Sequence, residues 1–181
     1  QKHHGAMKHA LGPRREMAVK TIFNLLGPLT NPARAKHQVL GVFDKKWVEP
    51  MAQVLKTLGS QHVLVVHAQD GLDEISIGSE SYVAELNNGE ITTYTIQPED
   101  FGLQRANIEQ LAVSDAKQSL AIINAIFAGE TGPARDIVCL NAGAAIYAAD
   151  LTPSLSEGIK LAQQHIDNGS AQQKLNEFVA C

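Results

Sequence analysis

The feature that most constrains this chain is a pair of short, unbroken apolar runs separated by one amphipathic stretch. His37-Gln38-Val39-Leu40-Gly41-Val42-Phe43 and Val63-Leu64-Val65-Val66 are short, apolar and β-branched, as buried strands are. Between them, residues 46–58 place Trp47, Met51, Val54, Leu55 and Leu58 on one helical stripe, and Gly59 supplies a C-terminal stop. Strand, helix, strand in that order implies a right-handed parallel crossover. Strands that are apolar throughout, rather than in alternation, imply helices over both faces of the sheet. The sequence therefore predicts an α/β fold: a mainly parallel sheet with flanking helices.

The remaining segments fit around that unit. Residues 14–26 read as a helix, with Met17, Ile22, Phe23 and Leu26 able to share a face. Gly27-Pro28-Leu29-Thr30-Asn31-Pro32 should stop it, since each proline removes a backbone donor and disfavours helix in the residue before it. Residues 81–86 and 90–96 alternate about Asn87-Asn88-Gly89, the signature of an antiparallel hairpin. Gln97–Gly102 reads as a loop or single turn. Helices are expected at about 115–128, 133–149, 153–168 and 170–179, punctuated by Gly129, Gly132-Pro133, Pro153 and Gly169. Ser154 with Glu157 resembles a capping box.

Composition narrows the functional classes. Hydrophobic residues make up 44% and charged residues 19% of the 181, the balance of a globular chain. No apolar run approaches the roughly 20 residues a membrane span needs. A net charge of −4 gives no general attraction for nucleic acid. Of the two cysteines, Cys139 sits in an apolar stretch and reads as a small core residue, and no disulfide framework is suggested. A cytoplasmic protein is expected. His3, His4 and His9 crowd the start without partner acids at zinc spacing.

The sharpest chemical candidate is Asp70-Gly71-Leu72-Asp73-Glu74-Ile75-Ser76, directly after the second strand. Ligands of open parallel sheets bind beyond the carboxyl ends of strands. Asp73 and Glu74 would put two carboxylates there, the hard oxygen donors that Mg²⁺ takes beside a phosphate. The plainer reading is a turn, because Asp-Gly is ordinary turn chemistry and neighbouring acids are common on surfaces. Arg14 and Arg15 carry guanidinium forks suited to a carboxylate or phosphate, though paired arginines on a helix are more often simply solvated. His37, His62 and His67 border strands and read as packing or surface residues. Asn141-Ala142-Gly143-Ala144-Ala145 reads as small residues permitting close helix packing.

Taken together, several segments resemble one family. His4-Gly5-Ala6-Met7-Lys8-His9, Arg14-Arg15-Glu16, Thr21 through Pro32, Asp70 through Ser76, Asp100-Phe101-Gly102 and Leu140 through Ala145 occur in the order found in anthranilate phosphoribosyltransferases. The resemblance covers essentially the whole chain. It implies a C-terminal α/β domain (nucleoside phosphorylase/phosphoribosyltransferase-like) over residues 33–181. Residues 1–32 would be a short N-terminal helical segment, the remnant of the helical domain and hinge. The family's Gly-rich phosphate loop and most of its helical domain would lie before Gln1, so this chain would be a fragment that does not turn over alone.

The implied reaction is attack of the amine of anthranilate on C1 of phosphoribosyl pyrophosphate, with pyrophosphate leaving with the help of Mg²⁺, in tryptophan biosynthesis. Asp73 and Glu74 match the family's metal-binding carboxylates. Arg14 matches the arginine that holds the carboxylate of anthranilate, and His4 a histidine on its entry path. Gly5 stands where the family commonly has proline. A homodimer is implied, with no nucleic acid and no membrane as partner. Two alternatives stand beside this reading: a pyrimidine nucleoside phosphorylase-like enzyme, and a non-enzymatic relative that binds nucleic acid.

Overall fold

A computed structural model describes residues 22–31 and 33–180 of the chain. The chain divides into two compact units, Gln1–Lys36 and His37–Cys181. In the first, helix α1 runs over Ile22–Leu29. The predicted stop at Gly27 is late: the helix carries Pro28 in its last turn and ends there. The turn is closed by Thr30, whose amide and hydroxyl both donate to the Gly27 carbonyl. A proline so near the end disturbs only the terminal hydrogen bonds, which lie where a helix runs out of partners in any case. Residues 14–21 of the predicted helix lie outside the described residues.

The second unit is built on one four-stranded sheet: β1 (His37–Gly41), β2 (His62–Ala68), β3 (Ser81–Asn87) and β4 (Glu90–Ile96), in that spatial order. β1 and β2 are parallel, connected through helix α2 (Val48–Thr57). The α/β architecture and the crossover are those the sequence predicts. The sheet itself is mixed rather than mainly parallel among the described residues, because the hairpin β3–β4 joins β2 antiparallel and outnumbers the one parallel pair. Asn88 and Gly89 turn that hairpin with positive φ at both positions, 50° and 79°. This left-handed pair matches the twist of the flanking strands, which is why Asn-Gly marks such turns.

β2 is the centre of the unit and is buried along its whole length. Side chains alternate faces along a strand. Leu64 and Val66 join the core formed with the C-terminal helices. Val63 and Val65 therefore face the other way, where α2 packs with Val48, Met51, Ala52 and Leu55. The buried stripe of α2 is thus rotated from the predicted one. Val54 and Leu58 are 40% and 61% exposed. The true stripe starts at Val48 and recurs at helical spacing through Met51, Ala52 and Leu55, which leaves Leu58 at the helix end in solvent.

Four helices follow: α3 (Ala116–Phe127), α4 (Pro133–Ala148), α5 (Leu155–Asp167) and α6 (Ser170–Val179). Asp115 caps α3 by accepting from Gln118 N, and Ser154 caps α5 by accepting from Glu157 N, the forward half of the predicted capping box. α4 lies against β1 and β2 and crosses α5 closely. Gly143 and Gly158 make the crossing possible. A Cβ on Gly143 would sit 2.5 Å from the Ile159 backbone, and one on Gly158 would sit 2.3 Å from the Gly143 carbonyl. Gly143 and Ala144 serve packing, as predicted, while Ala145 is exposed. Cys139 is buried in the core. No helix among the described residues is long and apolar enough to cross a membrane.

The α4–α5 crossing yields a stability prediction. Gly143→Ala should destabilise the unit by roughly 2–3 kcal/mol, the usual cost of forcing a methyl into a closed contact. Ala145→Ser, at an exposed position of the same helix, should stay within about 0.5 kcal/mol. Urea unfolding followed by circular dichroism measures both.

Candidate metal and substrate edge

The carboxyl ends of the parallel pair converge on one loop. β2 ends at Ala68, and residues 69–80 turn back to β3. Asp70 organises the loop: its carboxylate accepts from Leu72 N at 3.3 Å and from the Ser76 hydroxyl at 2.5 Å, and its own amide donates to the Ser79 hydroxyl. Gly71, at φ 96°, makes the turn, and Ala68 N donates across it to the Leu72 carbonyl. Beyond the apex, Ile75 and Ile77 are buried in the core and anchor the return.

Two long-range contacts fix where the apex stands. The Asp73 carbonyl packs directly over Gly41 at the end of β1, so close that a Cβ on residue 41 would lie 1.6 Å from it. From the other side Asn141 of α4 clamps Ile75. Its Oδ1 accepts from Ile75 N at 3.0 Å, and its Nδ2 donates to Ile75 O at 2.9 Å. Asp73 and Glu74 are held between these contacts at the carboxyl edge of β1 and β2, and both side chains are exposed. No described residue donates a hydrogen bond to either carboxylate, so their oxygens remain available to a ligand. A cleft of about 470 Å³ beside the loop is lined by Asp70, Gly78 and residues 105–108; Asp73 and Glu74 are not in its wall. Arg14, Arg15 and His4 lie outside the described residues, so the structure does not bring them to this edge or away from it.

Sequence reading missed Gly41 and Asn141. The signal for Asn141 was a lone amide within the small apolar run Leu140–Ala145. Its partner is 66 residues away, and nothing local names it.

A second polar cluster sits at the opposite end of the same strands. His62, the first residue of β2, is 2% exposed and lies between two acids. Its Nδ1 is 2.6 Å from Asp150 Oδ1, and its Nε2 is 3.1 Å from Glu85 Oε1. Glu85 also accepts from the Tyr94 and Tyr147 hydroxyls, each at 2.7 Å, and from Asn87. Burial pushes the Glu85 carboxyl up, but donation from Tyr94, Tyr147, His62 and Asn87 outweighs it, so the net direction is down. The tyrosines move oppositely. Burial and then the bond to Glu85 raise both, Tyr147 to about 12. His37 Nδ1 donates to the Ala148 carbonyl at 2.8 Å. His37 and His62 are parts of a polar network rather than plain packing or surface residues.

The fold is found among known proteins. The description "Glycosyl transferase family, a/b domain" matches residues 1–172, and the chain belongs to that family. Within it, the chain resembles anthranilate phosphoribosyltransferases. It is 60% identical over 179 residues to those of Thioalkalivibrio sulfidiphilus and Alkalilimnicola ehrlichii, covering 99% of this chain and 53% of each relative. The chain thus spans about half the length of the curated relatives it matches. Among solved structures, the Thermus thermophilus enzyme of that name superposes with a TM-score of 0.88 at 45% identity, covering 98% of this chain and 52% of that one. The Saccharomyces cerevisiae enzyme, solved in complex with PRPP and Mg, superposes at 0.85 with 26% identity, covering 98% of this chain and 51% of that one.

Both clusters can be probed by unfolding. Gly41→Ala should cost roughly 2–3 kcal/mol, because the Asp73 carbonyl has to move; thermal unfolding reads the loss. For Glu85, whose folded value is depressed, the stabilisation is complete above its ordinary 4.5 and is lost as pH falls through the folded value. The unfolding midpoint of the parent should therefore fall more steeply below pH 4.5 than that of Glu85→Gln.

Proposed function

We propose that this chain is the C-terminal α/β portion of an anthranilate phosphoribosyltransferase, contributing the metal-binding edge to transfer of a phosphoribosyl group from phosphoribosyl pyrophosphate to anthranilate. The observation that carries the reading is the loop apex. Two exposed carboxylates, unengaged by described residues, stand beyond the carboxyl ends of two parallel strands in a family member that is 60% identical to enzymes of that name. The yeast relative solved with PRPP and Mg supports the ligand pair.

The donor set fits Mg²⁺, which takes oxygen ligands, usually one or two carboxylates with substrate phosphates completing the shell. When bound, the ion would neutralise charge developing on the departing pyrophosphate. Asp73 and Glu74 would hold it, and the rigid contacts at Gly41 and Asn141 keep their backbone in place before substrate arrives. Such preorganisation is what electrostatic catalysis requires, since little of the barrier is then spent on reorienting dipoles. Arg14 would pair with the carboxylate of anthranilate through its planar fork, and His4 would line the approach. Their task is positioning, so that the amine meets C1 in line with the leaving group.

The remaining features of the reading follow the same relatives. The active species would be a homodimeric cytoplasmic enzyme in tryptophan biosynthesis, with residues 1–32 completing its helical domain. The present chain should not turn over by itself, because the phosphate-cradling loop implied by the resemblance is not within it.

The test joins this chain to the amino-terminal half of the Thioalkalivibrio sulfidiphilus relative and follows consumption of anthranilate by its fluorescence. The joined protein should be active with Mg²⁺. Asp73→Asn and Glu74→Gln should each reduce turnover roughly a hundredfold, the scale expected for loss of one charge-stabilising group. The 181-residue chain alone should show none. Full activity in both variants, or transfer between phosphate and thymidine instead, would overturn the reading.

A further inference from the structure

The cluster at the amino end of β1 and β2 is not used by the proposed transfer reaction. His37 and His62 are the first residues of their strands and are register partners. Asp150 follows the end of α4. One nitrogen from each ring and one oxygen from Asp150 lie within 4.8 Å of one another. Two imidazoles and a carboxylate are donors suited to zinc-like ions and unsuited to Mg²⁺, which prefers oxygen. The apex carboxylates Asp73 and Glu74 stand at the other end of these strands, four residue steps along β1 and six along β2, roughly 13–20 Å away.

The surroundings of each ring are those of a metal ligand. Metal-binding histidines almost always donate the second ring N–H to a carboxylate or a backbone carbonyl, which fixes the tautomer and ring orientation. His62 Nε2 faces Glu85, itself fixed by the Tyr94 and Tyr147 hydroxyls. His37 Nδ1 donates to the Ala148 carbonyl. With Nε2 donating to Glu85, His62 Nδ1 presents a lone pair to Asp150 Oδ1 at 2.6 Å. Two acceptors at that separation need a cation between them, either a proton or a metal ion. Donors around a tetrahedral zinc stand about 3.3 Å apart, given bonds of roughly 2.0–2.1 Å. The 2.6 Å between His62 Nδ1 and Asp150 Oδ1 is shorter than that value, and the three ligand atoms lie within 4.8 Å, so the Asp150 side chain, 59% exposed, would shift outward to admit the ion. A cleft of about 550 Å³ lined by His62, Tyr147, Asp150 and Thr152 gives an ion access and leaves room for water as a fourth ligand.

We propose that His37, His62 and Asp150 form a binding site for a zinc-like divalent ion, tying the amino ends of both parallel strands to the end of α4. The ion would act as a structural clamp, remote from the carboxylate edge and independent of the transfer chemistry.

Cobalt(II) titration of the 181-residue chain tests the site, because tetrahedral nitrogen–oxygen coordination gives visible absorption bands that Zn²⁺ then abolishes. One ion per chain is expected at this site, undisplaced by millimolar Mg²⁺. His37→Gln and Asp150→Asn, both at partly or largely exposed positions, should weaken binding at least tenfold. Both should keep the far-ultraviolet circular dichroism of the parent. His165→Gln, on the exposed end of α5, should bind as the parent does. His3, His4 and His9 remain in every variant, so binding through them would survive the substitutions. Unchanged affinity in both His37→Gln and Asp150→Asn, or no tetrahedral cobalt spectrum in the parent, would overturn the proposal.

Discussion

The structure around the candidate site depends on a backbone-to-backbone contact for which position 41 has no room to spare. The Asp73 carbonyl lies where a Cβ on residue 41 would be, and only glycine allows the loop to close down on the end of β1. From that contact the rest follows. The apex is set at the carboxyl edge of the parallel pair, and the return limb drops Ile75 and Ile77 into the core. The Asn141 amide then satisfies both backbone groups of Ile75, which a buried loop would otherwise leave unpaired at considerable cost. Two carboxylates are thus presented to solvent on a backbone fixed from both sides.

A rigid support of this kind suits an electrostatic task. In the proposed reading, repulsion between the neighbouring charges of Asp73 and Glu74 would be relieved by a divalent cation shared with an anionic substrate. Exposure, which argues against a role in packing, is what such a task requires. The sheet separates this edge from the histidine–carboxylate network at its other end. The two clusters differ in donor chemistry, with oxygen alone at one and imidazole nitrogen beside oxygen at the other, so the same strands present different ligand environments at their two ends.

The sequence displayed local features well and distant pairings poorly. The strand–helix–strand unit was readable because β2 is apolar at nearly every position and α2 has a helical period. Asn88-Gly89 announced its hairpin because few residues accept positive φ twice in succession. The inner stripe of α2 was misplaced toward Leu58, since hydrophobicity alone does not reveal that a helix end projects past the sheet. The mixed character of the sheet was underweighted because the hairpin's docking onto β2 has no signature within either segment. The acids of the apex were visible, but the contacts that hold them were not. Gly41 and Asn141 act across 32 and 66 residues, and the His62–Glu85–Tyr147 network spans comparable distances. Arg14 and His4 rest on resemblance, as they lie outside the described residues.

The most direct measurement of the central claim is a crystal structure of the joined polypeptide with phosphoribosyl pyrophosphate and Mn²⁺ in place of Mg²⁺, using the anomalous signal of manganese to locate the ion. The account predicts an ion bound through oxygens of Asp73 and Glu74, directly or through one ordered water, and shared with the pyrophosphate. Manganese and pyrophosphate found together elsewhere, with both carboxylates still facing solvent, would contradict it.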